Sequence, residues 1–163
     1  MTAYSAEAWG DFALAVAGAA AALTGLLFVA VSLNLDQILA YPHLPGRAAT
    51  TLGALGTLLL VSLCMLAPAQ GRLWLGGEVA AVAALLAAAV VRTQMHARRI
   101  PNSPEHLVTA SVVLLVPAAL LLVGGVSVAI GAGGGLYWVF AGTATGFAGT
   151  LLNAWVLLVE IKR

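Results

Sequence analysis

The chain has 163 residues, of which 62% are hydrophobic and 8% charged, with a formal net charge of +1 and a mean hydropathy of +1.04. So few charges cannot clothe a water-soluble globule, and a balance this close to neutral excludes the basic footprint of a nucleic-acid binder. One cysteine, Cys64, lies inside an apolar run and leaves neither a disulfide framework nor a thiolate metal site.

Five apolar runs, each near the roughly 20 residues that a membrane helix needs, predict an all-α integral membrane bundle in a single domain. The first covers about residues 12–33. Nothing basic precedes it, whereas Glu7 and Asp11 do, and no small-residue cleavage boundary interrupts it, so it is expected to be a retained span and not a signal peptide. It is expected to run one or two turns past Leu33 and stop at Tyr41-Pro42-His43-Leu44-Pro45-Gly46, where two prolines and a glycine forbid helix. The second span covers about residues 48–66 and ends at Pro68. A tight turn at Gln70-Gly71-Arg72 leads to the third, about residues 73–91, which carries on as a polar helical tail from Arg92 to Arg99. Ser103-Pro104-Glu105 restarts the helix, with Ser as N-cap, Pro in the first turn and an acid after it. The fourth span covers about residues 107–130, and Pro117 is predicted to bend it. The glycine-rich stretch Gly131 to Gly135 turns the chain into the fifth, about residues 136–159.

Numbering the gaps between spans sorts the basic residues. Arg47, Arg92, Arg98, Arg99, Lys162 and Arg163 fall on one side of a five-span path and Arg72 alone on the other. The positive-inside bias then predicts an N-terminus outside and a C-terminus in the cytoplasm, in the cytoplasmic (inner) membrane. Tyr4, Trp9, Trp74, Tyr137 and Trp138 all fall at the predicted outer ends, where an interfacial aromatic belt belongs.

Small and polar residues inside the spans are the next signal. The first span repeats Asp11, Gly18, Gly25 and Ser32 at intervals of seven. The last holds Gly142, Gly146, Gly149 and Asn153, with Glu160 seven residues further on. Such stripes make flat seams where another helix approaches closely, either within the bundle or between copies. Asp11, Asn34, Asp36, Glu78 and Glu160 sit near span ends, as candidate pore-mouth groups or as interfacial polar residues that need no function. Glu78 is expected to snorkel toward water beside Arg72, and Asn34 and Asp36 to pair with Arg47 or the basic tail. Asn153, the deepest amide, is expected to hydrogen-bond another helix. Arg92, His96 and Arg99 share one helical face, and with Arg98 they suit anionic lipid headgroups.

No catalytic constellation emerges. His43, His96 and His106 match no metal spacing, and no cofactor motif is present, so no enzyme activity, cofactor or metal is expected. Thr143-Ala144-Thr145-Gly146-Phe147 lacks the pore-helix context of a potassium filter. Gly131 to Gly135 lacks the lysine and strand of a phosphate loop.

Two segments carry a resemblance. Thr24-Gly25-Leu26-Leu27-Phe28-Val29-Ala30 with Ser32-Leu33-Asn34-Leu35, and Leu152-Asn153-Ala154-Trp155-Val156-Leu157-Leu158-Val159-Glu160, resemble the first and last helices of a family of small actinobacterial multispanning proteins. Members are sometimes labelled modulators of the FtsH membrane protease. The resemblance covers those two helices and the overall length, and it implies no catalytic residues. Together these readings predict a non-enzymatic membrane protein in contact with lipid, with copies of itself and with a possible membrane-protein partner, but with no nucleic acid. Two functions are expected to compete: a homo-oligomeric, channel-like assembly favouring cations, and an accessory or regulatory subunit of a membrane machine such as a protease or respiratory complex.

Overall fold

The computed structural model describes residues 2–41, 44–97 and 106–161, without the side chains of 97, 106–112, 160 and 161. Every regular element among the described residues is helical. After two short 3-10 turns the chain enters α1 (Gly10–Leu33), with Asp11 in its first turn. Asn34 ends α1 without help from proline. Its Nδ2 donates to the Ala30 carbonyl at 2.8 Å and its own N–H turns back to Val31, so the backbone leaves the helical path and restarts as α2 (Leu35–Ala40). The expected cytoplasmic extension of the first span is therefore a separate short helix.

The second span begins earlier than the sequence predicts. α3 runs Leu44–Leu66, so Pro45 and Gly46 are its first turn and not a barrier to it. A proline is tolerated there because the N–H it lacks is one that the first turn leaves unpaired anyway. This correction moves Arg47 out of the loop and into a helix, where it is buried. α4 (Arg72–Ala97) joins the third span to its polar tail as one helix. α5 (His106–Ile130) keeps Pro117 inside it, and α6 (Leu136–Ile161) closes the chain. Among the described residues five helices are long and apolar enough to cross a membrane, which marks a multi-pass membrane protein.

α3, α4, α5 and α6 form a closed ring of neighbours, each packed on the next. α1 stands outside the ring, laid mainly against α3. Only 22% of its span is buried, against 44% for α3. The main core joins Ala13, Val16 and Ala20 of α1 to Leu58 and Val61 of α3, Val79 of α4, Leu121 of α5 and Val139 of α6. A second cluster, nearer α2, gathers Leu27, Ile38, Leu44, Leu55 and Leu157.

Glycine sets how closely α5 approaches its neighbours. A Cβ on Gly125 would lie 2.6 Å from the Ala80 nitrogen and 2.7 Å from the Gly76 carbonyl oxygen. One on Gly76 would lie 2.5 Å from both the Gly125 oxygen and the Ala129 nitrogen. α4 and α5 thus cross backbone to backbone. The adjacent Gly124 faces the other way, toward Val139 of α6. A Gly-Gly pair therefore lets one helix approach two neighbours at once, the close packing that membrane helices rely on where burial from water offers no drive.

Candidate functional site

Three places hold the residues that the sequence singles out: the two ends of the bundle and the open side of α1. At the N-terminal end, the α5–α6 turn places Gly131, Gly133, Gly134 and Gly135 at positive φ, which side chains with a Cβ rarely adopt. The N-terminal segment straps this turn. The Gly134 N–H donates to the Tyr4 hydroxyl at 3.1 Å, and the Gly135 N–H to Ser127 Oγ at 2.8 Å. Trp9 stacks edge-on against Tyr137 at 5.1 Å, and Phe12 meets Phe140 at 5.6 Å, so two of the aromatics expected at one membrane face join Phe12 and Phe140 in a clasp between the start of α1 and α6. Glu78 is held by Gln70, whose Nε2 donates to Glu78 Oε2 at 2.7 Å. Arg72, the expected partner of Glu78, instead lays its guanidinium against Gly131.

At the opposite end, Arg47 Nη2 donates to Asn153 Oδ1 at 3.4 Å, joining α3 to α6 with both residues buried. Asn34 Nδ2 is donated to the Ala30 carbonyl of its own helix. Asp36 on α2 and Arg92 and His96 on α4 are exposed. Arg98 and Arg99 lie outside the described residues, as does the side chain of Glu160.

The two glycine stripes have opposite fates. Gly142, Gly146 and Gly149 are buried in the ring, against Leu121, Leu58 and Val113 respectively. That seam is internal packing. Asp11, Gly18, Gly25 and Ser32 are all exposed, and neither glycine has an atom within 4 Å of where a Cβ would stand. This seam is open. Several hydroxyls inside the spans bond a carbonyl of their own helix and not one another: Thr51 to Arg47 at 2.9 Å, Ser62 to Leu58 at 2.9 Å, Thr143 to Val139 at 2.8 Å.

Among the described residues no group of three or more His, Cys, Asp or Glu could hold a metal ion. No protein-family model, curated protein or solved structure matches the chain. The residues that sequence reading missed are Gly76 and Gly125, together with the burial of Arg47. The glycine pairs Gly76-Gly77, near the start of α4, and Gly124-Gly125, near the end of α5, were the available signal for the first.

Proposed function

We propose that this protein is a non-enzymatic assembly subunit of the cytoplasmic membrane that associates through α1, first with copies of itself. The observation that carries the reading is the open seam of Asp11, Gly18, Gly25 and Ser32 on the one span outside the ring. Glycine in a helix costs about 1 kcal/mol relative to alanine. On a face that met only lipid it would return nothing for that cost, whereas a second helix could use the close approach. The packed ring, with Thr51, Ser62 and Thr143 turned to carbonyls of their own helices, supports an accessory or regulatory role over conduction through a single chain. A cation path is the second reading. It would have to lie between copies, and the feature favouring it is Asp11 at the mouth of the seam.

In mild detergent the native chain is expected to measure as a multiple of its 16.5 kDa mass. The Gly18→Leu, Gly25→Leu variant should fall to the single-chain mass with its melting midpoint unchanged or slightly raised, since leucine is the better helix former. A native chain of single mass, or a variant of unchanged multiple mass, overturns the reading.

We also propose an N-out, C-in orientation. With Arg47 buried in α3, the loop and tail count becomes Arg92, Arg98, Arg99, Lys162 and Arg163 against Arg72, and the bias stands. A reporter active only in the cytoplasm should give signal when fused after Arg163 and none when fused before Met1. The reverse pattern contradicts the orientation.

A further inference from the structure

Between α1 and α6, in the half of the bundle nearer α2, a pocket of about 160 Å³ opens sideways. Its walls are Leu26 and Ala30 of α1, Leu55 of α3, and Thr150, Leu151 and Ala154 of α6, among others. Thr150 is the one polar side chain lining it, and its hydroxyl is committed to the Gly146 and Phe147 carbonyls at 2.9 and 3.0 Å. A bound water needs two to four polar partners, so water has no stable place here. Apolar voids of about 150 Å³ stay dry and take up small apolar guests. The occupant must be hydrocarbon.

The shape says which hydrocarbon. Toward the N-terminal end, the Trp9, Phe12, Tyr137 and Phe140 clasp closes the gap between α1 and α6. Toward the other end, Ile38, Leu44 and Leu157 close it. A helix cannot lie along a pocket blocked at both ends; something slender must enter from the side. That side is continuous with the apolar surface that faces the bilayer, because Leu26 and Leu151 line the pocket and are also 69% and 52% exposed. The opening lies within the membrane-spanning stretch of both helices, at the depth of lipid tails.

We propose that this pocket binds the acyl chain of a membrane phospholipid, drawn from the leaflet on the α2 side. The site lies on a different side of α1 from the Gly18 and Gly25 seam at 3.6 residues per turn, so lipid and a second copy do not compete. The inference rests on the chain spanning a membrane and not on its self-association.

The test is to reconstitute the full chain into phosphatidylethanolamine–phosphatidylglycerol vesicles that contain a trace of phospholipid with a diazirine on one acyl chain. After illumination, the sites of labelling are mapped. Label should concentrate several-fold on residues 23–30 and 150–158 over the exposed Leu85 of α4 and Ile130 of α5. Ala154→Phe should fill the pocket and remove that excess while labelling elsewhere stays constant. Ala30→Leu, from the opposite wall, serves if the phenylalanine variant does not fold. Even labelling of all exposed faces, or an excess that survives the filled pocket, overturns the site alone. No label at residues 23–30 and 150–158 while other exposed faces are labelled would assign the pocket to a second copy and overturn it too. Labelling nowhere would instead defeat the membrane reading on which it rests.

Discussion

Gly125→Leu is expected to abolish the folded bundle. The new Cβ would stand 2.6 to 3.0 Å from the backbone of Ala80 and Gly76, atoms that cannot rotate aside as a side chain can. Overpacking a core ordinarily costs about 1–3 kcal/mol. Here the helices themselves must part, and parting them also releases the reciprocal contact at Gly76, so the cost should exceed that range. Gly77→Leu on the neighbouring helix is the control, because Gly77 is exposed with nothing within 4 Å. Purified in detergent, the Gly77 variant should retain its helical circular dichroism and melting midpoint, while the Gly125 variant should aggregate or melt far lower. Equal melting of both would show that α4 and α5 do not cross at this point.

The second large effect lies at the Arg47–Asn153 contact. Asn153→Leu takes one acceptor from a buried guanidinium, and losing a hydrogen bond to a charged group costs about 1.5–3 kcal/mol. Arg47→Met removes the charge itself and substitutes a long apolar stem. Replacing a buried polar pair with packed apolar groups is often neutral. The double variant Arg47→Met, Asn153→Leu is therefore expected to be more stable than Asn153→Leu alone, with a coupling of at least about 1 kcal/mol between the two positions. Thermal melts of the four proteins in one detergent give the cycle. Strictly additive losses would mean that the two side chains do not stabilise each other.

What the sequence made legible follows from which physics is written locally. The spans were visible because a bilayer demands length and apolarity in one continuous run. The turn at Gly131 to Gly135 was near enough to local chemistry to be placed closely. The break at Asn34 was missed, because a side-chain amide turned back to Ala30 ends the helix with no proline or glycine to announce it. Pro45 and Gly46 misled because a proline that blocks a helix interior is welcome in a first turn, and only the path of the chain decides which applies. Arg47 misled for a related reason: counting charges by loop takes no account of whether a helix end is buried. The two glycine stripes were both visible, yet nothing local says that Gly146 packs on Leu58 while Gly25 faces outward. In water an apolar face must point inward. In a membrane, lipid and core are equally apolar, so the pattern carries no direction. The Gly76–Gly125 crossing depends on register between two helices and is invisible to any single window.

The central claim is that α1 offers its open seam to α1 of another copy. Its most direct test is oxidative crosslinking in native membranes of a chain carrying Cys64→Ser, which removes the one native thiol, and Gly25→Cys. Leu85→Cys, exposed on α4, is the comparison for random encounter. The account predicts a covalent dimer through position 25 that far exceeds the dimer through position 85. Equal dimer from the two positions, or none from position 25, would contradict it.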